Sequence, residues 1–316
     1  MDEHGRDRGG RRWWRGGLLA VPAAAVLLLG ACGGGGDDNT TASTAATTGT
    51  TATTATTATT GTTGTTGTTA TAPQDASAAV DQAFRDLRQH SYRADIKNTS
   101  VFDASGAPEQ VQQALASADA DTSSQVEAES ADRAKATTQL SGGLGELQIV
   151  LYDGGLYVSK DGTTWQELKG DLKTFFDQVF ALSKLDVSAL AKNIRQEGET
   201  EVDGVAAVKY VGDVDPSQYQ KIAGSLLQGL GPAASSVSFD GGTIEVLVAK
   251  DDGRLLQQAV TVDATIDLSQ LGSQGKVTAK STSTYTVKDY GADITVEKPK
   301  PSGTLSTLTE LGQFVQ

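Results

Sequence analysis

The chain has 316 residues, of which 26 are Lys or Arg and 39 are Asp or Glu, giving a formal charge of -13. So acidic a balance argues against nucleic acid and against electrostatic adhesion to anionic lipid, both of which need clustered cations. Cys32 is the one cysteine, which excludes an intrachain disulfide and a zinc–thiolate centre and leaves any folded part to be held by its core.

Residues 1–31 carry the three parts of a secretory signal. Arg6, Arg8, Arg11, Arg12 and Arg15 come first, then an apolar core from Leu18 to Leu29, then the small residues before Cys32. The core spans 12 residues, short of the roughly 20 that a spanning helix needs, and Pro22 interrupts it. Leu28-Leu29-Gly30-Ala31-Cys32 resembles the lipobox of bacterial lipoproteins. By that resemblance the signal is cut before Cys32, its sulfur receives a diacylglycerol and the new amino group is acylated. Two or three chains at about 0.8 kcal/mol per buried CH₂ make a durable anchor, whereas one holds marginally. Losing the signal, with its five arginines and three acids, leaves the mature chain at -15.

Residues 32–74 form the next unit. From Gly33 to Pro73 the chain is almost entirely Thr, Ala and Gly, repeating in threes from Thr51 onward. With hardly a large apolar side chain to bury, ordering entropy is not offset, which predicts a solvated tether roughly 35 Å from end to end.

Residues 75–316 are expected to form a single domain. A helix is predicted over Asp75–His90 from the spacing of Val80, Phe84 and Leu87. Ser91-Tyr92-Arg93-Ala94-Asp95-Ile96 alternates as a strand, and a turn follows at Asp103-Ala104-Ser105-Gly106. Gln110–Asp121 fits helix and strand equally, and Ser123–Leu140 is expected to be a strand with one wet face. Asp153-Gly154-Gly155 and Asp161-Gly162 signal hairpins before Trp165. Asp171–Leu190 returns to helical spacing, with Asp186 capping a second short helix. Val202–Val214 reads as a strand pair turning at Asp203-Gly204. Asp215-Pro216 opens a helix that ends in the Gly229–Pro232 region. Thr243–Lys250, Leu255–Ile266 and Lys276–Asp289 are strands, Ile294–Glu297 a short edge, and Leu305, Leu308, Leu311 and Val315 mark a terminal helix. This order favours an α+β fold, one long curved antiparallel sheet with helices packed on its concave face as an open half-barrel.

No catalytic constellation emerges. The mature chain has one histidine, His90, there is no Gly-x-Ser-x-Gly, and Asp119 with Asp121 and Asp251 with Asp252 read as solvated turns. Asp213 and Asp215 lack the other ligands of a calcium loop, and Gly142, Gly143 and Gly145 do not form a phosphate-binding fingerprint. The expectation is a protein that is not an enzyme and holds no metal or cofactor.

The lipobox, Ser91-Tyr92-Arg93-Ala94, Leu156-Tyr157-Val158 leading to Trp165, Lys209-Tyr210-Val211-Gly212-Asp213-Val214-Asp215 and Tyr285-Thr286-Val287-Lys288-Asp289-Tyr290-Gly291 resemble the LppX and LprG type of actinobacterial envelope lipoprotein, which shares the LolA and LolB half-barrel. The resemblance implies a non-catalytic protein on the outer face of the cell membrane, anchored through Cys32. It implies an apolar cavity that binds and transports a lipid or glycolipid. The residues implied to line it are Trp165, Leu172, Phe175, Phe176, Val179 and Phe180, with Leu226 and Leu227 on the next helix; a packed core is the other reading of each. The alternative is an envelope interaction or sensory module that uses the same fold without a lipid cargo, with an export or envelope-assembly protein as partner.

Overall fold

The computed structural model describes residues 75–116, 121–140, 145–182, 187–227, 235–271 and 273–315. Cys32, the signal and the tether lie outside the described residues. The strands are β1 (Tyr92–Asp103), β2 (Thr122–Ser130), β3 (Arg133–Leu140), β4 (Gly145–Tyr152), β5 (Gly155–Ser159), β6 (Trp165–Leu168), β7 (Ala191–Val202), β8 (Val205–Val214), β9 (Val237–Ala249), β10 (Leu255–Asp267), β11 (Lys276–Lys288) and β12 (Pro301–Leu305). The helices are α1 (Ala76–Arg88), α2 (Glu109–Ala116), α3 (Gly170–Leu182), α4 (Pro216–Leu227) and α5 (Leu308–Val315).

One unclosed sheet takes all twelve strands in the order β12-β6-β5-β4-β3-β2-β1-β11-β10-β9-β8-β7. It consists of two antiparallel meanders, β1–β6 and β7–β11, joined where β1 pairs with β11 from Arg93↔Lys288 to Asp103↔Thr278. β12 adds to β6 in parallel. The architecture is the expected α+β arrangement of an open, mostly antiparallel sheet with helices.

Period-two alternation decides which face each strand buries. On β1, Tyr92, Ala94, Ile96 and Asn98 are buried while Arg93 and Lys97 are exposed. Register carries that inner face to Val126 and Ala128 on β2, Ala136 on β3, Ile149 on β4 and Val158 on β5. In the other direction it reaches Tyr285, Val262, Ile244 and Tyr210. Against this face α1 sets Val80, Ala83, Phe84 and Leu87, making one apolar cluster with β1, β2 and β8–β11. Asp75 caps α1 through the Ser77 amide at 3.0 Å, and the buried Asp81 accepts from the Ser188 hydroxyl at 2.7 Å, tying α1 to the turn before β7. A second inner cluster joins Leu147, Ile149, Leu156, Val158 and Leu168 to α3, β12 and α5. A Thr307/Glu310 capping box starts α5, the Glu310 carboxylate accepting from the Thr307 amide at 3.1 Å while the Thr307 hydroxyl accepts from the Glu310 amide at 3.2 Å.

Bulges bend the sheet. On β9 the pairing slips between Asp263/Ala264 opposite Gly241 and Phe239, and a Cβ on Gly242 would stand 2.0 Å from the Thr261 carbonyl oxygen, so only glycine fits there. β7, an edge strand, slips twice and is covered in exposed charges, features that discourage pairing with another chain.

On the outer face the segment from Tyr290 to Lys300 runs as a strap from β11 to β12. It places Val296 against Val150 and Tyr157, with Ile294, Tyr152 and Trp165 around them. The Glu129 carboxylate accepts from the Val296 amide at 2.8 Å and from Arg133 at 3.2 Å, while Arg133 forks onto Asp153.

The 110–121 stretch, which fits helix and strand equally, is helical to Ala116 as part of α2, and three elements differ from expectation. Ser123–Leu140 is two strands turning at Ala131-Asp132. β7 begins at Ala191, eleven residues before the expected strand pair. Ile294–Glu297 is strap, the edge being β12 instead.

Candidate ligand-binding site

The inner face is apolar at both ends and polar in the middle. Register brings Thr138, Ser124, Thr122, Asn98, Ser100, Ser283 and Ser281 together on adjacent strands β3, β2, β1 and β11. Ser124 bonds Thr138 at 2.9 Å, Ser100 bonds Ser281 at 2.9 Å, and the Asn98 amide donates to the Thr122 hydroxyl at 3.3 Å. Asn98 and Ser283, direct partners across the β1–β11 seam, are 2% and 9% exposed, yet Asn98 Oδ1 and Ser283 Oγ have no hydrogen-bond partner among the described residues.

This middle zone is also where the sheet is incompletely covered. Ala136, Thr138 and Leu140 on β3, Val260 and Ala264 on β10 and Ser281 on β11 all point inward and are all partly exposed. Burial pushes the Tyr210 and Tyr219 phenols above their ordinary range, so these inner-layer rings stay neutral. Tyr219 of α4 meets Phe239 edge-on, with centroids 4.7 Å apart. α4 itself is fixed by Asp215, which accepts from the Ser217 amide at 2.9 Å and pairs with Lys192. The Lys192 ammonium, then Ser217, hold the Asp215 carboxyl well below the usual carboxylate range.

The residues singled out from sequence divide three ways. Leu172 and Phe176 are 1% and 3% exposed, packed in the inner cluster with Leu168 and Leu305. Trp165 is half-buried on the opposite face in the strap cluster, its indole donating to the Gly162 carbonyl at 3.2 Å. The hairpin therefore turns it away from the inner layer. The side chains of Phe175, Val179, Phe180, Leu226 and Leu227 lie outside the described residues. Sequence reasoning missed the hydroxyl patch, whose members look like ordinary wet-face residues until register assigns their face.

A hollow of about 650 Å³ opens beside β1–β4 with outer-face side chains at its border, among them Asp95, Lys97, Gln139 and Glu146. At its border Asp95 accepts from Lys288 at 2.5 Å and Gln139 donates to Glu146 at 3.0 Å. His90 stands at the end of α1, Nδ1 donating to the Asp86 carbonyl at 2.7 Å and its ring 5.0 Å from that of Tyr290. Both are structural uses.

Solved structures resemble this architecture. The fold is similar to that of two mycobacterial proteins, LprF and the lipoprotein LppX. LprF from Mycobacterium bovis has a TM-score of 0.38 and 14% identity, covering 71% of this chain and 97% of its own. LppX from Mycobacterium tuberculosis has a TM-score of 0.41 and 15% identity, covering 70% and 98%. A LolA superfamily protein from Nitrosomonas europaea follows at 0.27 and 11%, covering 70% and 94%. No family model matches the chain, and no curated protein does.

Proposed function

We propose that this chain is an envelope lipoprotein, anchored through Cys32 on the outer face of a bacterial cell membrane, that binds and carries a lipid-like amphiphile between its sheet and helices without catalysis. One observation carries the reading: side chains of β3, β10 and β11 face the helix layer and remain partly exposed, while both ends of that face are sealed. A face built to point inward and left partly exposed suits a guest, since each CH₂ of a chain laid there gains about 0.8 kcal/mol. Leu172 and Phe176 pack within the protein's own apolar end cluster, and Phe175, Val179, Phe180, Leu226 and Leu227 of α3 and α4 are the proposed hydrocarbon contacts.

Native mass spectrometry of the detergent-extracted, full mature protein tests the reading. The expected spectrum contains an adduct beyond the acylated chain, removed by organic extraction and restored by adding a monoacyl lipid. A protein that is empty as isolated and takes up no added lipid overturns it. The Cys32→Ser variant tests the anchor separately: it is expected to lose its acyl mass and leave the membrane fraction, and continued sedimentation with membranes would refute the anchor.

A further inference from the structure

The polar patch is out of place in a simple grease-filled groove. Burying a hydroxyl or amide without a partner is costly, and a sheet face meant only for hydrocarbon is better served by Val or Ala. Here seven hydroxyl or amide side chains occupy contiguous inward positions on four neighbouring strands, flanked by Ile96 and Val126 on one side and Val260 and Val262 on the other. Six of them pair among themselves, in three couples. What is left over is directional: Asn98 Oδ1, which can only accept, and Ser283 Oγ, which can do either, side by side across the seam and both buried.

We infer that Asn98 and Ser283 form a buried recognition subsite for a hydroxyl group of the ligand, so that the guest is a hydroxyl-bearing amphiphile whose polar part lies against the sheet. The inference rests on the ligand-carrying function proposed above. A hydroxyl donating to Asn98 Oδ1 and accepting from the Ser283 hydroxyl satisfies both orphaned atoms at once. An acyl chain on the same molecule then extends toward either apolar end of the face. The groups involved are uncharged, so the subsite selects neutral hydroxylated heads and gives no ionic contact to a carboxylate or phosphate. A guest without a hydroxyl leaves both atoms unpaired, a penalty that turns the patch into a filter rather than a glue.

The test compares two probes of equal chain length, 1-monopalmitoylglycerol, which has free hydroxyls, and methyl palmitate, which has none. Both are titrated into the delipidated full mature protein and read by native mass spectrometry. The parent is expected to prefer monopalmitoylglycerol roughly tenfold, the worth of one well-made buried hydrogen bond. Ser283→Ala and Asn98→Leu are expected to erase most of that preference. Ser283→Ala removes one unpartnered oxygen and leaves the backbone ladder intact, so a folding failure of Asn98→Leu does not remove the test. Equal binding of both probes by the parent, or an unchanged preference in Ser283→Ala, overturns the subsite and leaves the carrier reading standing. Binding of neither probe overturns both.

Discussion

Leu172→Ala is the sharpest check on how α3 is docked. The side chain is 1% exposed and sits among Leu147, Ile149, Leu156, Val158, Leu168, Phe176 and Leu305, so it bridges the helix to β4–β6 and β12. Truncation removes three carbons, a transfer loss of about 2.4 kcal/mol at ~0.8 kcal/mol per carbon. The void left in a wall of sheet residues that cannot move inward adds to this, for a total of about 3–4 kcal/mol. The helix itself stays tied, because the Leu172 amide still donates to the Ser306 carbonyl at 3.1 Å and the Lys169 amide to the Leu305 carbonyl at 2.9 Å. Equilibrium urea unfolding followed by far-UV circular dichroism measures the loss. In a thermal scan the same loss appears as a midpoint roughly 6 to 16 °C lower for a domain of this size. Because Leu172 is packed against protein on all sides, saturating lipid is expected to raise parent and variant equally and leave the difference intact. A loss below about 1 kcal/mol, small against the range for buried leucines, would refute the described contact between α3 and the sheet.

Two further perturbations probe the frame around the site. Asp215→Ala removes the cap of α4 and the Lys192 pair, and is expected to cost about 1–2 kcal/mol at pH 7 in urea unfolding. Since the folded carboxyl is held below its unfolded value, that contribution is complete above about pH 4 and fades as the pH falls further, so parent and variant should converge in acid. Gly242→Ala forces a methyl into the Thr261 carbonyl and is expected to destabilise by about 1–3 kcal/mol, with faster amide exchange across β9 and β10; an unchanged urea midpoint would show that the bulge is not needed there.

Strands that bury one face strongly were legible in the sequence. Tyr92-Arg93-Ala94-Asp95-Ile96 alternates because one side meets the helices, and Leu147–Tyr152 is apolar on both faces because Val150 meets the strap. Turns written in Asp and Gly were legible too: Asp153, Gly154, Asp203 and Gly204 all adopt positive φ, as a tight hairpin demands. Ala131-Asp132 has no such marker, so β2 and β3 read as one strand. β7 was hidden for a different reason. As an edge it exposes Lys192, Arg195, Gln196 and Glu199, and it shows no period of two. The hydroxyl patch was invisible because Thr122 and Ser124 are as polar as Ser123 and Gln125 beside them, and pairing with Ile96 and Asn98 is what puts them on the inner side. Trp165 was misleading in the same way, since only the strap, distant in sequence, reveals which side of β6 it occupies.

The strap from Tyr290 to Lys300 also sets an order of assembly. Each meander closes through neighbouring strands, but the first meander gains its outermost strand only once the segment after Tyr290 has crossed its back. Until then β6 is a bare rim, open to pairing with any extended peptide nearby. A chain stopped at Tyr290 would retain both meanders and the seam between them, yet would leave that rim permanently unguarded, so clumping rather than unfolding is its foreseeable fate.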